Sequence, residues 1–169
     1  SVNIDDVYSN VITLPFPFCF YGVTYNSLII GSNGNINFNT ASAGGPCAWQ
    51  FNANCPSPAL TGLGNIFGIY HDIDPSVCGN INWYLIGTAP CQKLVVSFDE
   101  ICQYSCTSVK SRHMMVLYET SNFIDVYVES KPLCASWNSG NAIIGIQDPT
   151  GVNGITAPNR NTTPTWTVT

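Results

Sequence analysis

Charged side chains are scarce in this sequence, and basic ones are the scarcest. Of its 169 residues only 9% are charged, with 5 Lys and Arg against 10 Asp and Glu, which gives a net charge of −5. Nucleic acid requires a basic face that displaces counterions from phosphates, and an anionic membrane surface also attracts basic residues. The composition therefore argues against both kinds of partner.

Long hydrophobic runs are missing as well. No stretch approaches the roughly 18 apolar residues that a membrane-spanning helix needs, so we expect no direct membrane insertion. Residues 1–6 are polar and acidic and have none of the features of a signal peptide. We therefore expect the chain to be a mature fragment of a longer protein.

Helix signals are almost absent, because Gly and Pro interrupt every stretch and no apolar stripe has a helical period. Short runs that alternate apolar with polar residues, or are rich in β-branched and aromatic residues, occur instead. These runs cover residues 11–14, 16–21, 28–30, 36–38, 66–71, 81–86, 94–101, 113–118, 123–128, 142–147 and 165–168. They predict an all-β fold, an antiparallel β-sandwich of about eleven short strands. Residues 40–63 are expected to form a long loop inside a single module spanning 1–169.

The cysteine spacing typical of zinc sites is also missing. None of the 8 cysteines belongs to a C-x2-C pair, which structural zinc sites commonly use. Disulfides formed in an oxidising compartment are the better interpretation of so many cysteines. The sequence therefore predicts a disulfide-stapled domain that is secreted or displayed on a cell surface.

Hairpin register predicts two of the bridges. Opposed residues of an antiparallel pair have sequence numbers with a constant sum. A hairpin centred near residue 90 places Cys78 opposite Cys102, and one centred near residue 120 places Cys106 opposite Cys134. The remaining cysteines are expected to close the Pro-rich loop locally and to make a long-range tie, as Cys47–Cys55 and Cys19–Cys91.

No assembled catalytic site is visible. The sequence has 2 histidines, His71 and His113, both in predicted strands, and no G-x-S-x-G nucleophile turn. A strand histidine is more often a satisfied structural residue than a catalytic one. Asp99 and Glu100 are adjacent in a strand and point to opposite faces, which does not suit acid–base catalysis. We therefore expect the chain not to be an enzyme.

One acidic segment is a candidate calcium site. Asp72 and Asp74 are separated by two positions, so an extended backbone directs both carboxylates to the same side. Calcium binds six to eight oxygen atoms, and the Ser76 hydroxyl with nearby carbonyl groups could add to the set. Asp5 and Asp6 are further acidic groups that the fold could bring close. The alternative is that Asp72 and Asp74 only cap turns by accepting backbone N–H bonds.

Aromatic residues in predicted loops form a second candidate site. Trp49 lies in the Pro- and Gly-rich loop, and Trp137 precedes Asn138 in a Ser- and Asn-rich loop. Such rings can stack on the faces of sugars while amides bond hydroxyl groups. The alternative is that each tryptophan closes one end of the hydrophobic core.

Three segments resemble nidogen-like extracellular domains. Residues 14–22 read Phe-Pro-Phe-x-Phe-x-Gly after Leu-Pro, residues 29–38 contain an Asn-Gly turn between two strands, and residues 69–74 form an apolar strand ending in Asp-x-Asp. Residues 70–76, 86–91, 116–120 and 131–142 also resemble a repeated module of very large surface proteins in gliding Bacteroidetes, and residues 165–169 resemble the start of its closing strand. Those proteins are exported by the type IX route and include adhesins that carry gliding motility.

The resemblance implies an extracellular all-β module and supplies no catalytic residues. The expected function is that of a cell-surface adhesin module, which contributes to adhesion and gliding by binding polysaccharide or another surface polymer, or by presenting a surface to it. Neighbouring modules of the same chain are the other expected partners. The alternatives are a structural spacer of a multi-domain stalk and the accessory domain of a secreted hydrolase.

Overall fold

The computed structural model describes residues 2–49, 53–60, 62 and 64–169. Within them the chain forms eleven strands and two short 3-10 turns, which confirms the predicted all-β class. The strands are β1 Ile12–Phe20, β2 Val23–Gly31, β3 Asn35–Asn37, β4 Asn65–Tyr70, β5 Ile73–Asp74, β6 Asn80–Ile86, β7 Lys93–Gln103, β8 Cys106–Tyr118, β9 Ile124–Ser130, β10 Ile143–Gln147 and β11 Gly154–Thr156. The 3-10 turns are Thr40–Ser42 and Asn138–Gly140. No described helix is long and apolar enough to cross a membrane.

The strands form two antiparallel sheets. The first has the order β1-β2-β3-β4-β10-β11. The second has the order β5-β7-β8-β9, and β6 pairs with β7 as well. Strand β5 pairs with the end of β7, at Cys102 and Gln103, whereas β6 pairs with the preceding part of β7, from Lys93 to Asp99.

Strand β1 shows how the sequence builds the core between the sheets. Its residues are alternately buried and exposed, so that Phe16 and Phe18 point inward while Pro15 and Pro17 point outward. Proline is tolerated here because β1 is an edge strand, and the pairing with β2 shifts register between Thr13 and Phe18. The sequence predicted two strands at this place, and the structure has one continuous strand through both prolines.

The predicted last strand is a difference between sequence and structure. Of residues 165–168, only Val168 pairs, in an isolated bridge with Lys131. Trp166 of the same segment is buried, and its indole N–H donates to the carbonyl oxygen of Ala142 at 2.8 Å. The apolar pattern of these residues therefore reflects packing onto the sandwich rather than a ladder of backbone bonds.

Two disulfides form, and they are the two that hairpin register predicts. Cys78 is bonded to Cys102 with a Cα–Cα distance of 5.4 Å. Cys106 is bonded to Cys134 with a Cα–Cα distance of 5.9 Å. Both Cα–Cα distances lie within the usual range for a bridge. Each bridge joins the open end of a hairpin, where fraying would otherwise begin.

The predicted bridge Cys47–Cys55 is absent from the structure, in which both cysteines are free and buried. The thiol of Cys47 lies 3.3 Å from the amide oxygen of Asn35, in a cluster with Tyr8 and Ile29. Cys55 belongs to a separate apolar cluster, with Leu60, Phe67, Tyr70 and Ile143. The two cysteines of this loop thus lie in different parts of the core. The sequence of the loop does not reveal this separation.

The predicted bridge Cys19–Cys91 is also absent, and both cysteines are free and exposed. The turn between β8 and β9 lies between them. Asn122 of that turn accepts the backbone N–H of Cys19 at 2.7 Å, and Thr120 donates to the carbonyl oxygen of Pro90 at 2.7 Å. The turn therefore occupies the space that a bridge would have to cross.

Both histidines are buried, as expected for structural residues, but their rings are not fully hydrogen-bonded. Among the described residues, neither ring nitrogen of His113 has a hydrogen-bond partner, and the Nε2 of His71 has none either. The His113 ring stacks on Phe98 with centroids 4.4 Å apart. Burial lowers the pKa of His113 to about 3, and burial, Lys131 and His113 together hold the pKa of His71 well below its usual value.

We expect the substitution His113→Phe to make the protein more resistant to acid. The unfolded state binds a proton at His113 below about pH 6.5, whereas the folded state does not until about pH 3, so acid favours unfolding of the natural protein. Phenylalanine keeps the ring stack and removes the titration. Urea unfolding between pH 7 and 4 should show the variant gaining stability relative to the natural protein, by up to about 1.4 kcal/mol per pH unit. If the stabilities of the two proteins change in parallel with pH, protonation of His113 is not the cause of the loss of stability in acid.

Candidate functional site

Three carboxylates that are distant in sequence meet at one end of the sandwich. Asp5 and Asp6 belong to the segment before β1, and Asp72 lies between β4 and β5. Ligand oxygens of the three lie within 4.8 Å of one another. We call these three residues the acidic cluster. Asp72 is buried, and the other two carboxylates are partly exposed.

The Asn33 side chain holds the two parts of the acidic cluster together. Its amide nitrogen donates to Asp6 Oδ1 at 2.7 Å and to the carbonyl oxygen of Cys47 at 2.9 Å. Its amide oxygen accepts the backbone N–H of Ile73, next to Asp72, at 3.1 Å. Asn33 lies in the turn between β2 and β3 and is completely buried. Gly34 follows with a positive φ of 89°, and a Cβ there would lie 2.0 Å from the carbonyl oxygen of Ile69, so the turn requires glycine.

Convergence of these groups disfavours their ionised forms. Burial first, and then the charges of Asp6 and Asp74, raise the pKa of Asp5 to about 6. Burial, together with Asp6, Asp5 and Asp74, raises the pKa of Asp72 to about 7, although a hydrogen bond from Trp137 opposes the shift. Burial also raises the pKa of Asp6. Within the described chain, Asp5 Oδ1 is buried and has no hydrogen-bond partner.

Asp74 and Ser76, predicted as calcium ligands together with Asp72, form a turn of their own. Asp74 Oδ1 accepts the backbone N–H of Ser76 at 2.9 Å and its hydroxyl at 2.5 Å. The turn-capping alternative thus describes Asp74. The structure places Asp72 instead with Asp5 and Asp6, the two acidic residues that the sequence left as spare groups.

The predicted aromatic site lies against the acidic cluster. The rings of Trp49 and Trp137 are 5.2 Å apart, and the ring of Tyr104 is 4.9 Å from that of Trp137. The indole N–H of Trp137 donates to Asp72 Oδ2 at 2.6 Å, and the Trp49 side chain lies beside Asp6, where it lowers the pKa of that carboxyl against the effect of burial. We call these three rings the aromatic patch. Two candidate sites that the sequence suggested separately are therefore in contact in the fold.

The side-chain nitrogen of Asn138 points into the protein, unlike the partly exposed rings of the aromatic patch. Its side-chain nitrogen is buried and has no partner among the described residues. It lies at a small cavity of about 10 Å³, which His71, Asp72 and Trp137 also line. A cavity of this volume is about the size of one water molecule. The amide nitrogen of Asn138 therefore lies on the inner side of the aromatic patch, next to Trp137.

We expect the substitution Asp72→Asn to stabilise the protein when metal ions are removed. The folded state holds the Asp72 proton up to about pH 7, whereas the unfolded state releases it near pH 3.8, so ionisation of this group opposes folding as the pH rises. Asparagine keeps an oxygen that accepts the Trp137 bond. Urea unfolding in a chelator should show a gain of about 1 kcal/mol at pH 8, limited by solvent screening, which disappears toward pH 4. A loss of stability at pH 8 would show that burial and the neighbouring carboxylates do not disfavour the ionised form of Asp72.

Comparison with known proteins gives a family. The family model described as NIDO related, that is nidogen-related, matches residues 1–169. Comparison with curated proteins and with solved structures finds no match. A nidogen-related domain with two disulfides is consistent with an extracellular or secreted module. Because the match covers the whole chain, this protein belongs to the nidogen-related family.

Proposed function

We propose that this chain is a non-enzymatic adhesion module that binds polysaccharide at the aromatic patch with the help of calcium in the acidic cluster. The observation that carries the proposal is the contact between the two features, in which the Trp137 ring packs at a tilt against the Trp49 ring and its indole N–H donates to Asp72. An ion held by the acidic cluster would therefore lie close to any sugar stacked on the aromatic patch.

The acidic cluster supports calcium through its chemistry. Asp5, Asp6 and Asp72 would hold the ion, because calcium prefers oxygen ligands and carboxylates above all. The buried Asp5 Oδ1 has no hydrogen-bond partner in the described chain, so a cation would satisfy it. A cation would also offset the burial and the mutual repulsion that raise the pKa values of Asp5 and Asp72. Asp74 adds negative charge nearby without belonging to the cluster.

The aromatic patch supports polysaccharide through its shape and exposure. Trp49 and Trp137 are partly exposed, and Tyr104 is 40% exposed. Neighbouring rings offer a surface on which the apolar faces of successive sugars can stack. Sugar hydroxyl groups are oxygen ligands that calcium accepts alongside carboxylates.

The wider setting of the proposal comes from the sequence. Likeness to the repeated module of gliding Bacteroidetes favours export by the type IX route and a role in adhesion during gliding, with sibling modules of the same chain as neighbours. The two disulfides would keep such a module in shape outside the cell. A spacer function would instead leave the aromatic patch and the acidic cluster without a ligand.

Calcium should raise the melting temperature of the protein, because a ligand that binds only the folded state stabilises it. At 100 times its dissociation constant the gain is about 2.7 kcal/mol. The substitution Asp6→Asn should greatly reduce the response, since it removes one carboxylate of the acidic cluster. Glu129→Gln is a matched control, because Glu129 is exposed and pairs only with Arg112 among the described residues. Thermal melting that is the same in chelator and in calcium would exclude the site.

A polysaccharide array should show calcium-dependent binding by the natural chain. Tyr104→Ala should weaken binding without disturbing the fold, because the ring is exposed and its side chain makes no described hydrogen bond. Trp137→Ala should abolish binding, with thermal melting used to verify folding. Phe123→Ala is the matched control, since Phe123 is 70% exposed and lies in the turn between β8 and β9. Absence of binding to any polysaccharide, or equal binding by the Tyr104 and Phe123 variants, would favour the spacer.

A further inference from the structure

Strand β6 is an edge strand with exposed apolar side chains on both faces. In the described chain it pairs with β7 alone, and its seven residues, Asn80–Ile86, include no charge. Trp83, Tyr84, Leu85 and Ile86 are 45%, 47%, 40% and 43% exposed. Protein edges are commonly protected by charge, proline or a covering segment. This edge has none of these along its second half.

The free backbone groups of β6 can be located from its contact with Asn3. The Asn3 side-chain amide accepts the N–H of Ile81 at 2.6 Å and donates to its carbonyl oxygen at 3.4 Å. The backbone groups of Ile81 therefore point away from β7. Because alternate residues of a strand direct their N–H and C=O groups to the same side, those of Trp83 and Leu85 also point away from β7. Asn3 thus covers the first of three open positions along this edge.

We propose that β6 pairs with β6 of a second copy of this chain, antiparallel and centred on Tyr84. In this register the open groups of Trp83 bond those of Leu85 in the second copy, and the reverse pair forms by symmetry. Tyr84 then faces Tyr84 of the second copy across a two-fold axis. Asn3 limits the pairing to residues 82–86, because it already occupies the backbone groups of Ile81.

Register and shape favour a second copy as the occupant. The open positions Trp83 and Leu85 lie symmetrically about Tyr84, so two copies of β6 satisfy each other's backbone groups in one register. The net charge of −5 on each chain opposes association, but β6 itself has no charge, so none is brought into the seam. A groove of about 380 Å³ lies beside the edge, and Val11, Ile12 and Trp83 contribute to its lining. Most of the other residues that line the groove are polar, and Leu85 of the second copy, opposite Trp83, would lie beside its apolar part. The symmetric interface closes on itself as a dimer.

Sedimentation analysis over a range of concentrations tests the proposal, and the natural chain should form dimers as the concentration rises. Leu85→Lys should raise the dimer dissociation constant by about tenfold or more, because two lysines would be brought into one uncharged seam. Its backbone groups are unchanged, so pairing with β7 is kept. Ile155→Lys is the matched control, since Ile155 is 66% exposed on β11, the edge strand of the other sheet, and this variant should dimerise normally.

Hydrogen exchange provides a second measurement that does not depend on a variant. The amides of Trp83 and Leu85 should become protected in concentrated solution relative to dilute solution, whereas the amide of Ile155 should not. A chain that stays monomeric at all concentrations would overturn the proposal. So would a dimer that is equally sensitive to Leu85→Lys and Ile155→Lys, or one that leaves the Trp83 and Leu85 amides unprotected. These outcomes are independent of calcium and of polysaccharide.

Discussion

The three hydrogen bonds of the buried Asn33 amide are the constraint on which the candidate site depends. They fix Asp6 and the carbonyl group of Cys47 on one side and the backbone of Ile73 on the other. The folded protein would lose much stability if an amide buried this completely lost its hydrogen-bond partners. The segments that carry like charges are therefore held together against their repulsion. The Asn-Gly turn and the Asp-x-Asp strand, two segments of the nidogen-like pattern, are therefore in direct contact.

The rest of the fold supplies rigidity around that contact. Strand β1 fills the interior with every second side chain, first two aliphatic ones and then three phenylalanines. The two disulfides lie next to the segments of the site. Cys78 follows the Asp74–Ser76 turn, and its partner Cys102 pairs with Asp74 in the sheet. Cys134 precedes the loop that carries Trp137. Each bridge typically contributes about 2–4 kcal/mol by restricting the unfolded chain, and here it also holds a segment of the candidate site in place.

Local patterns in the sequence predict those features of the fold that depend on neighbouring residues, namely strands and hairpins. The two-residue period predicts the strands, and the constant sum of a hairpin predicts the two bridges that form. Contacts of a long loop or an exposed turn with distant parts of the fold could not be predicted, and so the bridges Cys47–Cys55 and Cys19–Cys91 are assigned wrongly. Likewise the spacing of Asp72 and Asp74 predicts that both carboxylates share one site, yet only Asp72 joins Asp5 and Asp6, whereas Asp74 is bonded by Ser76. The contact of Trp137 with Asp72 spans 65 positions and depends on the packing of the whole sandwich.

The central claim is that the acidic cluster and the aromatic patch form one cation-binding site. Terbium(III) luminescence excited through tryptophan tests it most directly, since terbium takes the oxygen ligands that calcium takes and emits only when an indole is close. The account predicts emission on adding terbium to the folded chain, displacement of that emission by calcium, and its loss in Asp6→Asn. Absence of emission, or emission that calcium does not reduce, would contradict it.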